Sequence, residues 1–225
     1  MARRPQIIPR KTASQERSRS TVDTLLEATA RVLTKEGYDR ASTNKIAAVA
    51  GVSIGSIYQY FPSKEALVAA LIERHTQKFS ALVRTALLKV AGLPIETAIR
   101  VFVVAAIDAH RIDPKLHRVL AEEVPRTGQL ENIEAVERDA CLLFREYLKA
   151  HRSEIAVADL DRAAFIFVTT VEALTHAAVL GRPDILAGDK ANAFVDEVTG
   201  LVLRYLKTPP RPQRKRAGSR PSARS

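Results

Sequence analysis

The sequence predicts an all-α protein, and three observations support this fold class. Apolar residues recur at helical spacing in every substantial segment between residues 21 and 206. Prolines follow most of these segments, as they do where helices end. No segment shows a convincing alternation typical of a β-strand, and no internal repeat is apparent. We expect an N-terminal three-helix helix-turn-helix headpiece followed by a C-terminal helical domain.

The first predicted helix covers residues 21–36, TVDTLLEATARVLTKE. Its apolar residues follow helical spacing, and Gly37 comes directly after it, where a helix commonly ends. This apolar stripe needs a partner. The next two predicted helices supply small apolar residues for that purpose, namely Ile46, Ala47, Ala50, Val52 and Ile57. The three helices are therefore expected to pack together as the headpiece.

The second predicted helix lies in the ten residues ASTNKIAAVA, which begin with two good N-caps, Ser42 and Thr43. Gly51 follows this helix at the position where a left-handed conformation costs glycine least. Ser53 can then cap a third helix that begins at Ile54. Two short helices joined by a tight, glycine-containing turn are typical of the helix-turn-helix unit, whose second helix enters the DNA major groove.

The same turn contains GVSIG, which matches the G-x-S-x-G pattern of a serine hydrolase's nucleophile elbow. That elbow requires a strand before the serine, whereas a helix is predicted there. We interpret Ser53 as a helix cap and expect no enzymatic activity from it.

The remaining chain predicts six further helices. Ser63 is expected to cap the fourth helix, which continues to about residue 90 and is ended by Gly92 and Pro94. Helix-breaking residues separate five later segments, which cover residues 95–112, 115–124, 130–151, 160–180 and 189–206. The last two are apolar enough to form a four-helix interface with a second copy of the chain; a large monomeric core is the alternative.

Composition indicates a globular protein, because 46% of the 225 residues are hydrophobic. The single cysteine, Cys141, excludes an internal disulfide, and the basic N-terminus lacks the apolar run of a signal peptide. The longest strongly apolar stretch, residues 101–107, is far shorter than the roughly 20 residues of a membrane span. These observations predict a soluble, cytoplasmic protein with no membrane contact.

The formal net charge of +10 is concentrated at the two ends of the chain. Residues 1–20 and 207–225 are rich in arginine and lysine, whereas the residues between them are slightly acidic. Such tails are predicted to be disordered and attracted to polyanions such as DNA. For the C-terminal tail, a simple contribution to solubility is an open alternative.

Several short motifs keep fixed spacings within residues 17–70. They are Gly37-Tyr38, Ser42-Thr43, Ile46-Ala47, Ala50-Gly51-Val52-Ser53, Gly55, Ile57-Tyr58-Gln59-Tyr60-Phe61 and Lys64-Glu65-Ala66-Leu67. Their order closely resembles the TetR family of transcriptional regulators. Beyond residue 70, only the helix count and the apolar last two helices are similar.

The resemblance implies an all-α homodimer whose headpiece reads a palindromic operator and whose C-terminal domain binds a small molecule and dimerises. We accordingly divide the chain into a disordered basic arm (1–16), the DNA-binding domain (17–64), a ligand-binding and dimerisation domain (65–207) and a disordered basic tail (208–225). No cofactor is expected.

The outward face of the third helix is the predicted reader of DNA bases, because Ile57 and Phe61 occupy the core side. There, Gly55 lets the backbone approach the groove and Gln59 can pair with adenine. Ile54 can touch a thymine methyl group, and Ser56 can donate to a base or a phosphate. The complete predicted DNA-binding set is Thr43, Asn44, Ile54, Gly55, Ser56, Tyr58, Gln59, Tyr60 and Lys64.

Phosphate contacts are predicted at helix starts, where unpaired backbone amides favour an anion. Thr43 and Asn44 open the second helix, and Lys64 opens the fourth. Tyr58 and Tyr60 carry hydroxyl groups suited to phosphate, as in the family; ring packing on the headpiece is the alternative for both. Arg17 and Arg19 are further candidates from the arm.

The ligand pocket is predicted in the C-terminal domain and is expected to hold a small apolar effector. Its mostly apolar wall is predicted to combine a stripe at helical spacing on the helix that begins at residue 95 with residues of two later helices. The predicted lining residues are Phe102, Ala106, His110, Phe144, Phe167, Val171 and Leu174. His110 is either a polar anchor for the effector or a hydrogen-bonded core residue.

Two other functions fit parts of the sequence less well. The residues His110, Asp113, His117, Glu122 and Glu123 lie close in sequence, but Pro114 interrupts them and their spacing is not diagnostic, so neither a metal nor a catalytic site is predicted. An architectural protein that coats DNA without sequence preference is the second alternative. The sequence favours a ligand-responsive regulator, most simply a repressor.

Overall fold

The computed structural model describes residues 16–90, 92–125 and 130–209. These residues form α-helices and two 3₁₀ helices and contain no β-strand, so the all-α prediction is confirmed. The α-helices are α1 (Glu16–Glu36), α2 (Thr43–Ala50), α3 (Ile54–Tyr60), α4 (Lys64–Val90), α5 (Ile95–Arg111), α6 (Pro114–Glu122), α7 (Leu130–Ala150), α8 (Leu160–Gly181) and α9 (Lys190–Lys207). The 3₁₀ helices are Arg152–Glu154 and Pro183–Leu186.

Two helix bounds differ from the sequence prediction by two residues or more. Helix α1 begins at Glu16 instead of residue 21, because the polar stretch ERSRS contains no helix breaker and can extend a helix without being buried. Helix α6 ends at Glu122, two residues earlier than predicted. The residue before Pro125 is disfavoured in helical conformation, so the chain leaves the helix ahead of the proline. Of the predicted disordered arm (1–16) and tail (208–225), residues 1–15 and 210–225 lie outside the described residues; Glu16 begins α1, and Thr208 is the C-cap of α9.

The predicted caps are present at the helix-turn-helix. Ser42 Oγ accepts a hydrogen bond from the backbone N–H of Lys45, and Ser53 Oγ accepts one from that of Ser56, at 3.3 and 3.1 Å. Gly51 has a φ of +69°, the left-handed conformation expected after α2. A helix, not a strand, therefore precedes Ser53, and the nucleophile-elbow reading has no structural basis.

Buried side chains form two clusters. The headpiece core contains residues of α1, α2 and α3, the first half of α4, and three residues from α6 and its end: Leu116, Val119 and Val124. The second core joins α5, α7, α8 and α9 with the later part of α4. Helices α4 and α6 thus contribute to both the headpiece and its contact with the C-terminal domain.

Helix α8 is the described helix that is long and apolar enough to cross a membrane by length and composition, with a mean hydropathy of 1.7. The predicted helix at 160–180 was recognised as strongly apolar but not as long enough to span a membrane, because scattered polar residues interrupt its apolar run and the longest uninterrupted stretch is residues 101–107. Half of its apolar window is buried inside the chain, where it packs on α5 and α7. The core helix of a soluble protein has the same properties.

Candidate nucleic-acid interface and ligand region

Helix α3 presents one side to the headpiece core and the other to the surroundings. Ile57 and the capping residue Phe61 are buried, as predicted. On the opposite side Gly55 and Gln59 are exposed, and the Ile54 side chain at the helix start is also exposed. Gly55 has no side chain and leaves the backbone of α3 accessible there, whereas Ser56 is half-buried. The predicted base-reading residues Ile54, Gly55 and Gln59 are therefore all accessible from outside the chain.

The structure separates the two tyrosines whose roles the sequence left open. Tyr58 is 42% exposed, and its hydroxyl lies 3.4 Å from Thr43 Oγ1 at the start of α2. Tyr60 is half-buried and packs against the headpiece core. Tyr58 therefore presents its hydroxyl beside the N-terminus of α2, where Asn44 is also exposed, whereas the Tyr60 ring packs on the headpiece. The phosphate contact of each hydroxyl stays a prediction.

Lys64 is held by its own chain. Its Nζ donates to the carbonyl oxygen of Tyr38 at 3.1 Å and lies 4.1 Å from the centre of the Tyr38 ring, a cation–π contact. The sequence analysis predicted a phosphate contact and did not foresee this bond. Another headpiece lysine, Lys45, pairs with Glu36 and donates to the carbonyl oxygen of Arg40. Both lysines therefore also hold the turn between α1 and α2.

The residues predicted to line the ligand pocket are close together, but three of their rings pack against one another. The ring centres of Phe144 and Phe167 are 3.6 Å apart in a stacked arrangement, and Phe102 lies 4.9 Å from Phe167. Ala106 and Val171 are buried with them. Leu174 departs from the prediction because it is 38% exposed: the helical turn of α8 carries it away from this aromatic cluster.

An open cleft lies elsewhere, between α1, α4 and the segment from residue 112 into α6. Its volume is about 310 Å³, at the lower end for small-molecule sites. Its wall carries more basic than acidic side chains over an apolar floor that includes Leu71 and Leu116; the ionisable residues are Glu27, Arg31, Arg74, His75, Lys78 and Asp113. This cleft was not predicted, because its residues come from distant parts of the chain.

His110 is buried, and its Nδ1 lies 2.7 Å from the carbonyl oxygen of Ala106. A carbonyl oxygen only accepts, so Nδ1 carries the proton. The histidine is therefore hydrogen-bonded within α5. Its ring neighbours include His117 and His176, and the sequence analysis missed His176 because it lies far along the chain.

The acidic residues considered with His110 have structural partners. Asp113 caps α6, accepting from the backbone N–H of Leu116 at 3.0 Å. Glu123 is exposed, yet its Oε2 accepts from the backbone N–H of Tyr38 at 2.9 Å. This bond ties the end of α6 to the headpiece turn.

A capped helix-turn-helix with an exposed second helix, joined to a helical domain, defines a DNA-binding regulator. Comparison with known families agrees. Residues 25–71 match "Bacterial regulatory proteins, tetR family" and residues 94–206 match "Tetracyclin repressor-like, C-terminal domain". The chain therefore belongs to the TetR family of DNA-binding transcriptional regulators, whose members typically dimerise and respond to ligands.

Curated relatives match over part of their length. The nucleoid occlusion factor SlmA of Haemophilus ducreyi is 31% identical over 86 residues, which are 38% of this chain and 42% of that protein. An uncharacterized HTH-type transcriptional regulator of Mycobacterium tuberculosis is 34% identical over 90 residues, 40% of this chain and 43% of its own length. The matches thus span less than half of these relatives.

Solved structures share the fold over most of the chain. A putative TetR-family regulator from Mesorhizobium loti has a TM-score of 0.69 at 19% identity and covers 86% of this chain and 100% of its own. The regulator FadR from Bacillus subtilis, solved in complex with stearoyl-CoA, has a TM-score of 0.63 at 19% identity, with coverages of 80% and 97%. These neighbours are transcriptional regulators rather than enzymes.

Proposed function

We propose that the protein is a ligand-responsive repressor that binds a palindromic operator as a homodimer. The observation that carries the DNA part is the exposed face of α3, whose start is capped by Ser53 and which is linked to α2 through Tyr58 and Thr43. Gln59 on this face supplies the paired donor and acceptor that recognise an adenine edge. A two-fold dimer presents two such faces, so its preferred site is an inverted repeat with half-sites about one helical turn apart or slightly more.

Selection of bound sequences from a random DNA pool tests this specificity. The expected result is an enriched inverted repeat that binds far more tightly than a scrambled duplex of equal length and composition, measured at one fixed salt concentration. Equal binding curves for the two duplexes would instead identify the alternative, a non-specific architectural protein.

A reporter gene placed behind the selected site tests whether the protein lowers or raises transcription. Expression of the protein is expected to lower transcription, and a rise would make it an activator.

The proposed effector is a small, mostly apolar molecule that binds in the C-terminal domain. Support comes from the buried aromatic cluster of Phe102, Phe144 and Phe167, which α5, α7 and α8 contribute. Because these rings are packed together, the effector must separate them, and helices that move apart would pull on α4. The related fold that holds stearoyl-CoA suggests including long-chain acyl compounds in the screen.

The effector is found by thermal shift over a panel of apolar metabolites, followed by operator titration with each hit. Phe102→Leu keeps an apolar side chain while removing the ring, and it is expected to abolish the ligand response without weakening operator binding. Leu174→Ala, at an exposed position of α8, is the matched control. If the ligand response survives Phe102→Leu and is lost only when Ile112 or Lys78 of the open cleft is substituted, the effector binds in that cleft instead.

A further inference from the structure

Four of the five histidines of the chain meet at one place, although they come from four different helices. His75 lies on α4, His110 on α5, His117 on α6 and His176 on α8. The ring centres of His110, His117 and His176 are 5.0 to 5.6 Å from one another, and His75 lies 5.3 Å from His117. We call these four side chains the imidazole cluster.

The nitrogen atoms of the imidazole cluster are incompletely paired. His110 donates through Nδ1 to its own helix, which leaves Nε2 with a free lone pair. His117 Nδ1 lies 3.0 Å from His75 Nε2, whereas His117 Nε2 is buried and has no hydrogen-bond partner within the described chain. A buried nitrogen atom without a hydrogen-bond partner lowers the stability of the folded chain. A species that bound to this nitrogen would remove that cost, and its own binding would be favoured.

The ionisation of the cluster suits a cation that needs neutral nitrogen ligands. Burial lowers the pKa of His75 and His110, and burial together with the neighbouring imidazoles lowers the pKa of His117 to about 3. These rings are therefore neutral at pH 7. Glu172 Oε1 lies 4.0 Å from His110 Nε2; this side chain is 53% exposed, and partial desolvation of its carboxyl group raises its pKa. The other charged neighbours are Lys78 and Asp113 near His75 and Glu137 near Glu172.

We propose that the imidazole cluster, with Glu172, binds a divalent transition-metal ion of the Zn²⁺, Ni²⁺ or Co²⁺ type. Imidazole nitrogen is the ligand that these ions prefer, with carboxylate oxygen as a common companion. With metal–nitrogen bonds of about 2.0–2.1 Å and tetrahedral angles, imidazole ring centres lie roughly 5 Å apart. His110, His117 and His176 have this spacing among themselves, and His75 has it from His117. The bond from His110 Nδ1 to a carbonyl oxygen is also the outer contact that orients a metal-bound histidine.

The site is assembled on binding rather than preformed. Within the described residues, no group of three or more His, Cys, Asp or Glu side chains is arranged to hold a metal ion. The rings are nevertheless close together. His110 keeps its orientation, and rotation of the other three rings about the Cβ–Cγ bond redirects their nitrogens without moving the backbone, since this torsion is soft. Spacing along the sequence did not predict the site because two of its histidines, His75 and His176, lie far from His110 and His117.

A metal ion at this place would also bear on DNA binding, and this consequence rests on the proposed function. Helix α6 carries His117 on one side, while its Leu116 and Val119 belong to the headpiece core. Glu123, just after α6, bonds to the backbone N–H of Tyr38 in the headpiece. A metal that fixes His117 to α4, α5 and α8 therefore fixes α6 between the two cores and sets the position of the headpiece.

The test is titration of the untagged, chelator-treated full chain with ZnCl₂, NiCl₂ and CoCl₂ in separate calorimetric experiments without DNA. We expect one ion per chain, a higher Tm, and, for Co²⁺, the visible absorption of a nitrogen-ligated ion. His117→Gln and His176→Gln should each weaken binding by at least about tenfold. His151→Gln is the matched control, because this fifth histidine stacks on Tyr147 outside the cluster. This substitution should leave the metal affinity and the metal-induced rise in Tm unchanged.

Absence of binding for all three ions, or binding that survives both cluster substitutions, would overturn the proposal. If His117→Gln fails to fold by circular dichroism, His176→Gln carries the test, since His176 is only half-buried. Operator titration with metal and with chelator then examines the link to DNA separately. If operator affinity is the same with metal and with chelator, the coupling through α6 is refuted. If the wild-type protein binds operator and scrambled DNA equally, the proposed function is refuted, but the calorimetric evidence for metal binding is unaffected.

Discussion

Gln59 and Lys64 are expected to contribute to operator binding in different ways. Gln59 is exposed on the groove face of α3, so Gln59→Ala should cost about 1–3 kcal/mol on the cognate operator and relax the preference at one base pair. Lys64→Ala should weaken all sequences alike, because a phosphate carries no sequence information. Binding curves for operator variants at several salt concentrations measure both effects.

The salt dependence separates two roles for Lys64. If Lys64 leaves Tyr38 to neutralise a phosphate, Lys64→Ala lowers the salt slope by about one. If it keeps its bond to the carbonyl oxygen of Tyr38, the substitution lowers affinity and leaves the slope unchanged. A Gln59→Ala protein that loses affinity equally for every duplex would contradict a base-reading role.

Gly37 is the glycine whose replacement should be most damaging. Its φ is +80°, and a Cβ at this position would lie 2.7 Å from Glu123 Oε2, the atom that accepts from the backbone N–H of Tyr38. Gly37→Ala therefore combines left-handed strain with displacement of Glu123, and we expect it to lower the free energy of unfolding by at least about 1 kcal/mol. Urea denaturation measures the change. Gly92→Ala is the control, since nothing lies within 4 Å of that Cβ and its φ is not positive; equal losses would contradict this account.

The imidazole cluster makes the packing of α6 against its neighbouring helices dependent on pH. The pKa of His75, His110 and His117 is lower in the folded chain than the ordinary value of 6.5, so the unfolded chain binds more protons below that pH. The free energy of unfolding should therefore fall as the pH drops from about 7 toward 4. For His117, whose folded pKa is about 3, the loss continues through this whole window.

Metal-free wild type and His117→Gln separate this effect from that of the carboxyl groups, which both proteins share. The variant should lose less stability than wild type between pH 7 and pH 4, measured by urea denaturation at each pH. Parallel pH profiles would show that His117 does not titrate as its burial requires.

The helices themselves were largely predictable, and the reason is local. Ser42, Gly51 and Ser53 act on backbone groups within a few residues, so their caps can be recognised in the sequence. Contacts between distant segments carry no such local mark. The bond from Lys64 to Tyr38 and the meeting of His75 with His117 depend on how whole helices pack, and neither followed from the spacing of residues.

The proposed dimer requires that some apolar residues face a second copy of the chain. An amphipathic pattern shows that a helix buries a face, but not whether the core or a partner covers it. Val198 of α9, which fits the apolar spacing there, is buried within the single chain. Phe165 of α8 and Leu201 of α9 are 54% and 51% exposed. These two residues are therefore the better candidates for the proposed dimer interface.

Leu201→Glu should accordingly split the dimer while preserving the fold of each chain. The introduced carboxylate would be buried without a partner in the dimer but solvated in the monomer, so dissociation is favoured. The mass measured by light scattering at micromolar concentration should change from that of a dimer to that of a monomer, and operator affinity should fall steeply, because two half-sites are no longer read together.

Leu88→Glu is the matched control: Leu88 is 69% exposed but lies on α4, so the dimer mass and the operator affinity should persist. Val198→Glu should instead lower Tm by burying a charge inside the chain. A wild-type protein that is monomeric at this concentration would contradict the proposed interface, and a Leu201→Glu protein that remains dimeric would move it away from the exposed face of α9.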